Sequence, residues 1–197
     1  MSLPGALDYD SRPSSIAPHD SRARAQAKPL YCAASCGFAR LVKYLIIMHG
    51  EDVNERCGWD MAPLHAASRS GHVDCARLLL DHGAHVNASA QLTLRWTPVH
   101  FASYDGHLSV AQLLLQHGAS LHAPDDLGTT PLYLVSESGC LEIVRLLLDH
   151  GADVSVRRRR GTRWTPFQVA TMYRHHDVRQ LLLEYGAERE SVGGTVE

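Results

Sequence analysis

A proline returns along the chain at Pro29, Pro63, Pro98, Pro131 and Pro166, at spacings of 34, 35, 33 and 35 residues. A period of that size constrains the fold more than any single motif does. It describes an array of similar units, each too small to bury its own apolar face and each covered by its neighbours. Around the prolines stand KPLYCAA, APLHAAS, TPVHFAS, TPLYLVS and TPFQVAT. Eight residues after each proline comes Gly37, Gly71, Gly106 or Gly139, with Arg174 in the fifth copy. A second glycine closes each unit: Gly50, Gly83, Gly118, Gly151 and Gly186.

Each part of the phrase has a mechanical reason. A threonine hydroxyl can cap the first free amides of a helix, and proline suits its first position, so a helix starts at each Thr-Pro. The short apolar run that follows ends at the first glycine. A second amphipathic run, such as HVDCARLLLDH, ends at the second, a residue suited to the left-handed conformation at a helix C-terminus. Each unit is a helix, a turn and a helix. The Leu-Leu-Leu runs at 78–80, 113–115, 146–148 and 181–183 then require cover from adjacent units.

These phrases, T-P-L-H, G-H and L-L-x-x-G-A-x-x-N, resemble the ankyrin repeat over residues 28–188. The resemblance implies an all-α, ankyrin-type helical solenoid with β-hairpin-like junction loops and a concave, protein-binding face. It implies no enzyme activity and no cofactor. The expected units are 28–60, 61–95, 96–128, 129–163 and 164–188, with residues 1–27, rich in Ala, Ser, Pro and Arg, expected to be disordered and 189–197 a flexible tail. Departures from the pattern mark particular units. Gly37 and Gly50 lie 13 apart against 12 elsewhere, so the second helix of the first unit holds one extra residue. Lys28 and Ala62 replace the capping threonine, each at a cost of about 1 kcal/mol. Arg174 costs roughly 1 to 2 kcal/mol if its position is left-handed.

With 45% hydrophobic and 20% charged residues and a net charge of -2, the chain gives no bulk reason to expect nucleic acid or membrane. No segment approaches the roughly 18 to 20 apolar residues of a membrane span, and MSLPGALDYD lacks the layout of a secretory signal. Cys32, Cys36, Cys57, Cys75 and Cys140 form no C-x-x-C and no disulfide framework. The expectation is a monomeric intracellular protein, cytoplasmic or nuclear. No phosphate-cradling glycine loop, G-x-S-x-G or H-E-x-x-H occurs, so no catalytic residues are expected.

Thirteen histidines invite a metal reading. His49, His82, His117 and His150, however, step by a whole repeat, about 8 to 10 Å by helix packing, too far for two ligands of one ion. His65 and His100, of the T-P-L-H phrase, are expected to hydrogen-bond between neighbouring loops, with Tyr31, Tyr133 and Gln168 in the same place elsewhere. By resemblance, the pair before each turn glycine faces the groove: Ser35/Cys36, Arg69/Ser70, Tyr104/Asp105, Glu137/Ser138 and Met172/Tyr173. Arg69, Tyr104 and Tyr173 are the expected anchors, with Glu137 as a charge partner.

The junctions supply a second candidate. From closing glycine to next proline there are 13 residues in two cases and 15 in two, and both long loops end in Arg-Trp-Thr-Pro. Trp96 and Trp164 are expected to pack at the loop base. Arg157, Arg158, Arg159, Arg160 and Arg163 share one loop with no acid between Val154 and Pro166. Guanidinium groups grip carboxylate and phosphate in two-pronged fashion, so the loop could hold an acidic peptide, a phosphorylated partner or a nucleic-acid backbone, or serve importin recognition. It could equally be a solvated tip paired with Asp125, Asp126 or Asp149. The leading expectation is a protein-interaction scaffold; the alternative is recognition of a polyanionic or phosphorylated ligand through loop 157–163.

Overall fold

The computed structural model describes residues 28–188 apart from 58, 59, 92, 160 and 162, so the expectations for the two termini lie outside the described residues. Five helix pairs follow one another. They are α1 (Pro29–Ser35) with α2 (Ala39–His49), α3 (Pro63–Ser70) with α4 (Val73–Asp81), and α5 (Pro98–Tyr104) with α6 (Leu108–Gln116). Then come α7 (Pro131–Ser138) with α8 (Leu141–Asp149), and α9 (Pro166–Met172) with α10 (His176–Glu184). The described residues contain no extended strand. Odd-numbered helices stack on odd and even on even, with each pair antiparallel across its turn.

Proline opens every odd helix, and the residue before it is extended. Thr130 and Thr165 accept the amide N–H of Tyr133 and Gln168, as the capping argument requires. At Ala62 no hydroxyl is present to accept the His65 N–H; the Nδ1 of His65 accepts the Ala62 N–H at 3.1 Å. His100 makes the same bond to the Thr97 N–H, so this is the reciprocal half of the capping box and not a substitute for the hydroxyl.

Each leucine run divides by facing. Leu79, Leu114, Leu147 and Leu182 are fully enclosed in one continuous core with Val42, Val110, Ile143 and Val178. Small residues at matching places, Ala34, Ala67, Ala102 and Ala170, let the odd helices approach closely. The extra residue of the first unit lengthens α2 to 11 residues against 9 in the other even helices.

The junctions are hairpin-like, each closed by one equivalent backbone bond. These run from Cys57 N–H to Met61 O, Ala90 N–H to Trp96 O, Asp125 N–H to Thr129 O and Arg158 N–H to Trp164 O. The two added residues of the long loops fall inside the hairpin tip. There Arg95 and Arg163, each just before its tryptophan, adopt φ of +60° and +50°. Arg174 is left-handed too, with φ +60°, so the condition for its conformational cost is met.

Candidate functional site

The pairs expected to line the groove occupy the last turns and C-caps of the odd helices, one pair per unit, and so form a row along the stack. Ser70, Asp105, Ser138, Met172 and Tyr173 are exposed, while Arg69, Tyr104 and Glu137 are half-buried. Within the row the structure makes two links between units. The Tyr173 hydroxyl donates to Glu137 Oε1 at 3.1 Å. Asp105 feels the charges of Arg69 and His107, which pull its carboxyl down, although partial enclosure of that carboxyl outweighs them and raises it overall. Tyr104 rests against Trp96, with ring centroids 5.4 Å apart.

The backbone under this row is held from the next unit. Ring Nε2–H groups of His72, His107 and His175 donate to the carbonyls of Ser35, Arg69 and Glu137, at 3.1, 2.9 and 3.0 Å. Each ring lies flat over the preceding turn glycine. A Cβ on Gly71 would meet His107 Nδ1 at 2.6 Å, which is why a left-handed glycine with no side chain fits there. In the fourth unit Cys140 takes the histidine's place, and the space over Gly106 is open. This second histidine series went unassigned in the sequence reading; its signal was the residue following the turn glycine, in the G-H phrase.

Six further histidines are also engaged. His82, His117 and His150 donate Nδ1–H to the carbonyls of Leu78, Leu113 and Leu146, at 2.8, 2.9 and 2.8 Å, capping the ends of their own helices. His49 differs because α2 is longer; its Nε2 lies 3.4 Å from Tyr44 Oη. His65 and His100 do tie neighbouring loops, through Nε2 to Ala88 O at 2.8 Å and to Thr129 O at 3.3 Å. Since Nδ1 of each accepts a backbone N–H, the proton sits on Nε2. Burial lowers both imidazoles from 6.5 to about 4, so both are neutral.

The arginine loop is less uniform than its sequence suggests. Arg157, Arg159 and Arg163 are exposed, whereas Arg158 is half-buried, its guanidinium 6.0 Å from the Tyr133 ring centroid and its Nε enclosed. Arg160 lies outside the described residues. The arginines of this loop therefore do not all project alike: Arg158 is drawn to an aromatic face that offers cation–π attraction. Arg159 N–H donates to Leu127 O at 2.8 Å, tying the tip to the preceding junction. Asp125 does not serve this loop. It is buried, accepting from Trp96 Nε1 at 3.1 Å and from the Leu127 and Thr129 amides at 2.8 and 2.7 Å. Asp149 accepts from the Tyr185 hydroxyl. Trp96 packs in a small cluster with Met61, Ala90, Phe101 and Leu134, as expected of a loop-base residue, and Trp164 is half-buried.

A family model described as ankyrin repeats (3 copies) matches residues 15–90, 88–158 and 123–193. Among curated proteins, alpha-latrocrustotoxin-Lt1a of Latrodectus tredecimguttatus is 40% identical over 67 residues, 34% of this chain and 5% of that protein. BCL-6 corepressor-like protein 1 of Mus musculus is 42% identical over 59 residues, 30% of this chain and 3% of its own length. Ankyrin repeat and SOCS box protein 16 of Mus musculus is 38% identical over 66 residues, 34% and 14% respectively. The matched stretch thus spans a small part of each of these relatives.

Proposed function

The chain belongs to the ankyrin-repeat family, and from that premise we propose that it is a protein-interaction scaffold whose partner seats on the row of turn residues and the adjoining junction loops. One observation carries the reading. The carbonyls of Ser35, Arg69 and Glu137 are fixed by histidines of the following units, while the side chains of the row remain accessible to solvent. A surface with a fixed backbone and varied side chains loses little conformational entropy on binding, and its tyrosines, methionine and arginine are residue types enriched at interface centres. Arg69, Tyr104 and Tyr173 are the anchors. No helix of the described residues is long and apolar enough to cross a membrane. No catalytic role is proposed; the rings of His65, His72, His82, His100, His107, His117, His150 and His175 each bond a backbone carbonyl.

The test is affinity capture with mass spectrometry from nuclease-treated lysate, comparing the native chain with a variant carrying Arg69→Glu and Tyr173→Ala. A partner lost from the variant while its helical circular dichroism and melting stay unchanged supports the row. Equal capture by both excludes it. A second reading is favoured by the three exposed arginines at 157, 159 and 163: the junction loop grips an anionic partner. In that case changing those three to serine removes the partner, and native binding weakens steeply with salt.

A further inference from the structure

We propose that the outer face of α2 is a docking surface for the first ten residues of this same chain. The face is apolar and bare: Phe38, Leu41, Tyr44, Ile47 and Met48 are 59, 43, 51, 54 and 70% exposed. Its register explains why. Leu41 stands four residues after the turn glycine, where Cys75, Val110, Ile143 and Val178 of the later units are all 0% exposed. Phe38 follows the turn glycine directly, where His72, His107 and His175 reach back to the unit before. Tyr44 holds the place of Leu113 and Leu181, each 2% exposed, and of Leu78 and Leu146, which are half-buried. The Leu41 slot is fully buried in the four later units and exposed here, where no described unit packs in front of it.

A terminal unit of a solenoid needs a polar outer face if nothing covers it. The far end satisfies this, since α10 presents Asp177, Gln180 and Glu184 to solvent. Helix α2 does not, and its residues ARLVKYLIIMH include Arg40 and Lys43, both exposed, and no acid. A second copy meeting it face to face would set like charges against one another. The chain's own start, MSLPGALDYD, has the complementary character: Leu3, Leu7 and Tyr9 for the apolar face, Asp8 and Asp10 for Arg40 and Lys43. It also has the reach. From Asp10 to Lys28 the chain can extend about 60 Å at roughly 3.3 Å per residue, several times the separation of adjacent helices. Residues 1–27 contain no leucine run of the kind that the five units carry.

Hydrogen exchange by mass spectrometry tests this on the full chain, on a full-length variant with Leu3→Ser, Leu7→Ser and Tyr9→Ser, and on a chain lacking residues 1–20. The expected result is exchange in α2 at least tenfold faster in both altered chains, with α6 to α10 unchanged. Reversing Asp8 and Asp10 to lysine should also loosen α2, and adding Arg40→Glu with Lys43→Glu should restore its protection. Identical α2 exchange in all chains overturns the proposal. So does protection that rises with protein concentration alongside a dimer in sedimentation and survives removal of residues 1–20, since a second copy is then the occupant.

Discussion

Acid should unfold this protein through two side chains in particular. His65 and His100 are 0% exposed, and burial holds each at about 4 in the folded chain against 6.5 when unfolded. Between those values the unfolded chain binds a proton that the folded one refuses. Stability is therefore whole above about pH 6.5 and declines as pH falls towards about 4. At about 1.36 kcal/mol per unit of difference, each histidine costs about 1.3 kcal/mol between about pH 7.5 and about pH 5.5, so the pair costs about 2.7 kcal/mol. The protein supplies its own control. In the fifth unit Gln168 fills the same place, its Oε1 accepting the Thr165 N–H at 2.9 Å, without a titrating group. A chain with His65→Gln and His100→Gln should keep the loop contact and lose the titration. Urea unfolding at the two pH values measures it: the variant should lose about 2.7 kcal/mol less on acidification than the native chain. Parallel losses in the two proteins would refute the reasoning, and would assign the acid sensitivity to other groups.

Four further outcomes are expected. Arg174→Gly should stabilise the chain by about 1 kcal/mol in urea unfolding, because φ of +60° suits glycine and strains arginine. Cys140→His should gain about 1 kcal/mol by donating to the Tyr104 carbonyl as its three counterparts do, visible as slowed amide exchange around Gly106. Gly71→Ala should cost about 1 kcal/mol more than Gly106→Ala, since both positions are left-handed but only the first is covered by a histidine ring; thermal melts of the two variants decide it. Trp96→Phe should cost about 1 to 3 kcal/mol by leaving a buried Asp125 oxygen without its indole donor, read from the shift in urea midpoint.

The fold was legible because proline and glycine punctuate the chain for reasons local to each helix end. The helix pairs, the extra residue of the first unit and the odd placing of Arg174 follow from that punctuation; the hairpin-like junctions came from the resemblance alone. What stayed hidden depends on contacts between units. His72, His107 and His175 are ordinary polar residues in sequence, and only stacking shows each reaching the previous turn. Asp125 was expected among partners of the arginine loop; it is drawn instead to Trp96, 29 positions away, because the loop of one unit folds under the tip of the next. The bare face of α2 is visible in hindsight as apolar residues spread more than half-way round ARLVKYLIIMH. Reading it required knowing which slots normally face the unit before.

The ties between units also differ in a way that bears on the row. Asn54 donates to Gly83 O at 3.1 Å and accepts from His85 N–H at 2.8 Å, and Asn87 makes the same pair with Gly118 and Ser120. Together with His72 and His107, these fasten the first three units at both ends of their even helices. Between the third and fourth units the corresponding residues are His122 and Cys140, and neither tie is made. Beside the shared core, that junction has its ties in the loops: Trp96 to Asp125, His100 to Thr129, and Asp126 N–H to Leu94 O at 3.0 Å. The fourth and fifth units are fastened again through His175 and Tyr173 to Glu137. The row is thus held as two segments, one ending at Tyr104 and Asp105 and one beginning at Glu137 and Ser138. The core runs unbroken beneath both segments, so a partner spanning Asp105 and Glu137 would cross a joint that is packed like the others and differs only in where its polar ties lie.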